Sequence, residues 1–155
     1  MIFSDSIEVL RTEEDNRVLG KMQILTNKKH MQGKLVHKIY ESARKAAGKY
    51  KVPLNIILAI AFVESSYRLN VINSGSNDYG IMQVNQYHVR VSNLDKFRLL
   101  NDMDYSFEHG VRIFSWFYKR YPLDEAISRY NCGTAKRCIN WKHVKNYVAK
   151  VKRSM

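Results

Sequence analysis

The sequence has little proline, glycine and cysteine, and no segment of low complexity. Its 155 residues include 2 Pro, 7 Gly and 2 Cys, against 45% hydrophobic and 12% aromatic residues. This composition excludes a disordered or low-complexity protein, and the length suffices for one buried core. No internal repeat or linker divides the chain, so we expect one main domain at 34–155. Residues 1–33 are predicted to be an N-terminal arm or extension.

A membrane anchor is also missing. The longest apolar stretch, at 54–63, is shorter than the roughly 20 residues that cross a bilayer. The amino terminus, MIFSDSIEVL, has neither a basic leader nor a long apolar segment, so no signal peptide is visible. We therefore expect no membrane span. Action outside the cytoplasm would need delivery by a virion, another export route, or a leader absent from this chain.

Metal-ligand spacing is lacking as well. The five histidines form no ligand pair at helical spacing with one another or with the cysteines, so neither a metal nor another cofactor is expected. Cys132 and Cys138 lie six positions apart in a polar stretch. A disulfide and two free thiols are both consistent with that spacing.

Acidic residues are scarce. The chain has 26 Lys and Arg against 14 Asp and Glu, a formal net charge of +12. Residues 1–33 hold five of each sign, so the whole excess lies in 34–155. A basic surface suits a polyanion such as nucleic acid, anionic lipid or an acidic wall polymer. Because no recognition motif accompanies the charge, nucleic acid is not expected as a partner.

Apolar periodicity predicts a mainly α protein. An amphipathic helix is predicted at 34–48 and an almost wholly apolar, buried helix at 53–66. The polar stretch near 67–79 is predicted to be a small loop or β excursion. Residues 89–102 are weakly periodic and are predicted to form a connection. For residues 1–33, a loose hairpin around 13–16 and an appended arm both remain open.

The second half of the chain predicts three further helices. Asp104 resembles an N-cap for a helix that Pro122 ends, and a short helix runs from Asp124 to Tyr130. A last, strongly basic helix follows a break at 131–133. The apolar side of the first of these helices is predicted to comprise Phe107, Val111, Phe114, Trp116, Phe117 and Tyr118.

A single glutamate, Glu64, ends the most apolar helix. Burial beside a core disfavours the charged form of a carboxyl, so its pKa should rise toward neutrality, as a general acid requires. A glutamate in this position is also commonly just the first solvated residue past a core. Asp78 is the only acid between Glu64 and Asp95. It suits a turn residue better than a second catalytic carboxylate, which favours a one-carboxylate mechanism.

Four short motifs occur in a fixed order. They are Glu64-Ser65-Ser66-Tyr67, Gly80-Ile81-Met82-Gln83, Tyr130-Asn131-Cys132-Gly133 and Tyr147 within NYVAKV. This order resembles the soluble lytic transglycosylase family over about residues 34–150. It is most similar to the small specialised members of secretion or conjugation systems and of bacteriophages. Two departures are Ser128-Arg129, where the family commonly has small apolar residues, and Cys132, where it has alanine.

The resemblance implies a lysozyme-like fold of the goose-lysozyme and transglycosylase type. It also implies cleavage of peptidoglycan between N-acetylmuramic acid and N-acetylglucosamine, with 1,6-anhydro ends as product. Glu64 would act first as acid and then as base, and Tyr147 would orient it. The site of action would be the wall, in the periplasm or envelope, beside components of a secretion, conjugation or virion assembly. Substrate-binding roles are implied for Ser65, Gly80, Met82, Gln83, Tyr130, Asn131 and Tyr147.

Two rival functions remain open from the sequence. A goose-type muramidase would hydrolyse the same bond with water and leave hydrated ends. A non-catalytic wall-binding component of an envelope-crossing machine or virion would keep the cleft without using it.

Overall fold

The computed structural model describes residues 13–155, and the first twelve residues lie outside it. The described part is mainly helical, with one small sheet, which confirms the predicted fold class. Its elements in chain order are α1 (Glu13–Asn27), α2 (Gly33–Tyr50), α3 (Leu54–Ser65), β1 (Ile72–Asn73), β2 (Asp78–Tyr79), β3 (Val84–Asn85), α4 (Gln86–Val91), α5 (Lys96–Asn101), α6 (Met103–Tyr118), α7 (Leu123–Cys132), a short 3-10 helix (Cys138–Asn140) and α8 (Lys142–Ser154).

Residues 13–27 form helix α1, so the hairpin around 13–16, one of the two alternatives left open by the sequence, is wrong. Three acidic residues occupy the first turn of α1, where they complement the positive end of the helix dipole. One face of the helix buries Val18, Leu19 and Met22, and α1 packs against α2 and α3. The described part of the predicted arm is therefore a packed helix.

Helix α3 lies at the centre of the molecule. Its residues 56–61 are all buried, because α2 packs on one side of it and α8 on another. Helix α6 packs along α2 and α7, and α7 in turn packs on α8. This arrangement encloses the apolar helix that the sequence predicts and leaves its carboxyl end near the surface.

The predicted β excursion is a three-stranded antiparallel sheet in the order β1-β2-β3. Asp78 in the middle strand pairs with Asn73 on one side and with Asn85 on the other. The excursion extends beyond 67–79 to Asn85, because Gly80 and the three residues after it turn the chain back toward β2.

Several local predictions need correction. Residues 89–102 contain the second half of α4 and all of α5, short helices whose N-caps, Asn85 and Asp95, outweigh their weak periodicity. Asp102 rather than Asp104 caps α6, by accepting from the amide of Tyr105. Asp104 instead accepts a hydrogen bond from Ser42 Oγ at 2.5 Å, which joins α6 to α2.

Trp116 was predicted on the apolar side of α6 but is 45% exposed. The guanidinium of Arg120 lies over its ring, with the guanidinium carbon 4.1 Å from the ring centroid. Among residues 13–155, no helix combines the length and the apolar character that a membrane crossing requires.

Candidate active site

Glu64 lies one residue before the end of α3. The helix ends there because Ser66 and Tyr67 adopt left-handed backbone conformations, with φ of 52° and 62°. The amide of Ser66 still bonds to the carbonyl of Phe62, at 2.8 Å. The chain therefore turns away directly after Glu64, and the carboxyl is left between an apolar core and a cleft.

Burial raises the pKa of Glu64 to about 7. The hydroxyl of Tyr147 donates a hydrogen bond to Oε1 of Glu64 at 2.6 Å, which lowers the pKa, and the negative charge of Asp78 raises it. Desolvation is the largest of these effects. Near neutral pH, a substantial fraction of Glu64 is thus protonated and able to donate.

Tyr147 reaches Glu64 from α8, 83 positions further along the chain. Val144, Tyr147 and Val151 form the buried stripe of α8, which packs on α3. The tyrosine is 8% exposed, and burial together with the adjacent carboxylate raises its own pKa well above the usual value. Tyr147 therefore remains a neutral donor that fixes one oxygen of Glu64.

A cleft of about 430 Å³ opens in front of Glu64. Four of the predicted site residues line it, namely Glu64, Gln83, Tyr130 and Asn131. The others lie behind its surface: Tyr147 bonds to Glu64, while Ser65, Gly80 and Met82 are buried in the supporting core. Further lining residues are Ser76, Asp78, Val84, Asn85, Tyr87, His88, Ile113, Phe117, Arg129, Cys132, Gly133 and Thr134.

Ser65 and Gly80 fix the backbone behind the cleft. Ser65 is 3% exposed, and its hydroxyl lies 2.8 Å from the carbonyl oxygen of Ile81 and 3.0 Å from that of Ala61. Gly80 has φ of +82°, and a Cβ there would stand 2.2 Å from the carbonyl oxygen of Leu99. Only glycine fits this turn without moving the backbone.

Met82, Gln83 and Tyr130 connect the turn at 80–83 to the opposite wall. The hydroxyl of Tyr130 donates to the carbonyl of Met82 at 2.6 Å. Gln83 has a left-handed φ of 51°, and its Nε2 donates to the carbonyls of Gly80 and Val71 at 2.9 and 3.1 Å. These bonds fix the shape of the cleft floor, while Asn131 stands exposed at the rim.

Asp78 belongs to a polar network on the cleft wall. It accepts hydrogen bonds from Ser76 Oγ and from Asn85 Nδ2, the latter at 2.7 Å. Asn85 in turn caps α4 by accepting from the amide of Tyr87. Asp78 is therefore more than a turn residue, because an oriented carboxylate faces the same cleft as Glu64.

Sequence reasoning missed the aromatic and basic residues of the cleft. Tyr87 is exposed on the wall, and its ring meets the ring of His88 edge to face, with centroids 5.2 Å apart. Burial, and secondarily the charge of Arg112, lowers the pKa of His88. Both residues directly follow the Gly80–Gln83 motif and the strand after it, which is the one sequence signal that points to them.

Cys132 and Cys138 form a disulfide that closes the loop after α7. Cys132 also lines the cleft, so this covalent link restrains part of the wall. In residues 13–155, no three His, Cys, Asp or Glu side chains gather as metal ligands would.

Comparisons with known proteins identify the family of the chain. Residues 41–152 match the model of the transglycosylase SLT domain. The chain is 33% identical over 100 residues to protein IpgF from Shigella flexneri and, equally, to protein IpgF from Shigella sonnei. The aligned region spans 60% of this chain and 66% of each IpgF protein.

The fold is similar to that of a solved enzyme, an inactive glutamate-to-glutamine mutant of the lytic transglycosylase Slt from Pseudomonas aeruginosa. The likeness has a TM-score of 0.62 at 16% identity and covers 74% of this chain and 22% of that one. It confirms the predicted lysozyme-like, transglycosylase-type fold, and the family match supports the predicted enzyme class. The chain belongs to the transglycosylase SLT domain family.

Proposed function

We propose that this protein is a peptidoglycan lytic transglycosylase with Glu64 as its single catalytic acid and base. One observation carries the proposal. Glu64 has a pKa of about 7, borders a cleft of about 430 Å³, and receives a hydrogen bond from Tyr147 at 2.6 Å. Such a carboxyl holds a proton at neutral pH and presents it in a fixed direction.

In the first step, Glu64 gives its proton to the oxygen that links N-acetylmuramic acid to N-acetylglucosamine. The bond from this oxygen to the anomeric carbon of the muramyl residue breaks, and the N-acetylglucosamine end leaves as an alcohol. Positive charge develops at the anomeric carbon, where the acetamido group of the same sugar can stabilise it. Tyr147 donates to Oε1, so we propose that Oε2 carries the proton that is transferred.

In the second step, the ionised Glu64 removes the proton from the O6 hydroxyl of the same muramyl residue. Oxygen O6 then attacks the anomeric carbon and closes a 1,6-anhydro ring. The carboxyl regains the proton that it lost, so no water is consumed and the enzyme returns to its initial state. The hydrogen bond from Tyr147 stabilises the carboxylate between the steps.

The cleft residues support this chemistry in two ways. We propose that Gln83, Tyr130 and Asn131, which line the cleft, contact the glycan. Ser65, Gly80 and Met82 are buried, so their role is to position the backbone of the 80–83 turn. We place the activity at the cell wall, beside components of a secretion, conjugation or virion assembly, and the basic surface supports an anionic target of this kind.

Asp78 supports a second candidate, a muramidase of the goose type. Its oriented carboxylate lines the same cleft and raises the pKa of Glu64. In a hydrolase, this carboxylate would activate a water molecule that attacks the anomeric carbon. We favour the transglycosylase because the carboxylate of Asp78 already accepts from both Ser76 and Asn85.

Zymography on purified sacculi tests for wall cleavage and for the role of Glu64. Glu64→Gln keeps the volume and the bond to Tyr147 but removes the proton donor, so cleavage should fall by about 10² to 10⁴. Glu14→Gln, the same change on the exposed face of α1, is the matched control and should cleave like wild type. An inactive wild type would favour a non-catalytic wall-binding protein, and a Glu64→Gln variant within about tenfold of wild type would contradict the assignment.

A further inference from the structure

Arg129 is a buried cation in the cleft wall that the proposed mechanism does not use. Its side chain is 8% exposed, although it lines the cleft. Charged side chains are rarely buried to this degree unless they are paired with other groups. The contacts of Arg129 therefore indicate what it holds in place.

All three nitrogens of the Arg129 guanidinium are engaged. Nε and Nη2 donate to Oε1 of Glu125, one helical turn earlier, at 3.0 and 2.9 Å. Nη1 donates to the carbonyl of Gly133 at 3.3 Å, and the group lies 4.5 Å from the ring centroid of Tyr121. Glu125 and Tyr121 thus orient the guanidinium toward the loop after α7.

Gly133 is attached to Arg129 at two points. Its amide donates to the main-chain carbonyl of Arg129 at 2.7 Å, and its own carbonyl accepts from the Arg129 side chain. These two bonds close a short ring of chain that contains Asn131. A Cβ at Gly133 would meet no atom within 4 Å, so the backbone borders open space on that side.

We infer that Arg129 is a positioning residue that holds Asn131 and the rim around it in the shape that receives a glycan strand. This inference rests on the proposed function. A planar guanidinium can serve a carboxylate and a carbonyl together, so one side chain links Glu125 to the chain directly after Asn131. The Cys132–Cys138 disulfide restrains the same loop further along.

Isothermal titration calorimetry on the Glu64→Gln protein tests the inference without cleavage. The probe is a soluble, peptide-free glycan strand of alternating N-acetylglucosamine and N-acetylmuramic acid. Adding Arg129→Gln should weaken binding about tenfold, the effect of losing one hydrogen bond to a charged group. Arg129→Lys keeps the charge but offers one nitrogen, so it should weaken binding about threefold. If the glutamine variant does not fold, the lysine variant tests the inference in its place.

Arg120→Gln is the matched control. Arg120 also lies over an aromatic ring and donates to a main-chain carbonyl, that of Trp116 at 2.9 Å, but it is exposed and does not line the cleft. Its replacement should leave glycan binding within about twofold of the parent, because no bond to the cleft wall is lost.

A double-mutant cycle separates positioning of Asn131 from general stability. If Arg129 acts through Asn131, then Arg129→Gln should have less than about a twofold effect on binding in an Asn131→Ala background. A full effect in that background, or unchanged binding by both Arg129 variants, would overturn the inference alone. No binding by the Glu64→Gln parent would contradict the proposed function and, with it, the inference.

Discussion

At the scale of single residues, the buried carboxyl of Glu64 serves function but lowers the stability of the folded protein. Its pKa is about 7 in the folded protein against an ordinary value of 4.5, so the folded state binds more protons than the unfolded state between these values. Stability attributable to this group therefore falls as pH rises from about 4.5 to 7 and is constant above that range. Burial makes ionisation of Glu64 unfavourable in the folded protein. The same effect keeps the carboxyl protonated near neutral pH, so that it can act as an acid.

Glu64→Gln should accordingly stabilise the protein at high pH. The expected gain in unfolding free energy is about 3 kcal/mol near pH 8, and it should nearly vanish near pH 4, where the carboxyl is mostly neutral in both states. Urea unfolding of both proteins across this pH range measures the difference. A difference that does not change with pH would show that burial does not shift the pKa of Glu64.

Tyr147→Phe tests the hydrogen bond to Glu64. This bond lowers the pKa of Glu64, so its loss should raise that pKa above about 7. Activity that requires protonated Glu64 should then persist to higher pH, while the turnover rate falls because the carboxylate loses its donor. The pH dependence of kcat/KM measures both effects. A variant with an unchanged rate and pH profile would leave Tyr147 a core residue only.

At the scale of elements, the turn at Gly80 joins the sheet to the core. Gly80→Ala should destabilise the protein by about 2 to 4 kcal/mol, because its Cβ would meet the Leu99 carbonyl at a positive φ. Gly20→Ala is the matched control, since nothing lies within 4 Å of a Cβ in the middle of α1. It should stabilise by about 0.5 to 1 kcal/mol. Equal effects in thermal unfolding would contradict this account of the turn.

Periodicity in the sequence predicts the elements that bury a continuous apolar stripe. Helices α2, α3, α6 and α8 were predicted for this reason, and their ends differ from the prediction by a few residues. Short helices were missed where a single N-cap residue, rather than an apolar stripe, determines the helix, as with Asn85 before α4 and Asp95 before α5. The exposure of Trp116 was missed because Arg120 covers its ring, and no stripe reveals that contact.

The candidate site, too, was predicted only in part. The motifs predict Glu64 and Tyr147, whose carboxyl and hydroxyl meet across 83 positions, and the Asn131 region of the opposite wall. They do not predict Arg129, which looked like a departure from the family pattern. The role of Arg129 depends on its contacts with the carbonyl of Gly133, four residues later, and with the ring of Tyr121. Such contacts follow from how α7 ends, which composition and spacing do not specify.

At the scale of the whole molecule, the excess of positive charge is the dominant feature. Four basic side chains on α8 are exposed and lack an ion pair among the described residues, namely Lys142, Lys145, Lys150 and Arg153. Lys152 differs, because it pairs with Asp124 at 3.1 Å. Charges this exposed attract an anionic wall over about 8 Å at physiological ionic strength.

Cleavage of intact sacculi should therefore slow as salt rises from about 0.05 to 0.5 M, while cleavage of a peptide-free glycan should change much less. Replacing the four unpaired basic residues of α8 with glutamine should flatten the salt dependence on sacculi. The matched control replaces Lys28, Lys29, Lys34 and Lys38, four exposed lysines near the α1–α2 connection. Equal flattening by both sets would assign the attraction to net charge rather than to α8.

The most direct test of the central claim is the mass of the fragments released from peptidoglycan. A transglycosylase that uses Glu64 twice leaves 1,6-anhydro ends, which are lighter by one water than the ends that hydrolysis leaves. Mass spectrometry of a digest by the wild-type protein should show anhydro ends, and Glu64→Gln should release few fragments. Fragments with hydrated ends alone would contradict the account, because a water molecule, activated by Asp78, would then have replaced the O6 hydroxyl.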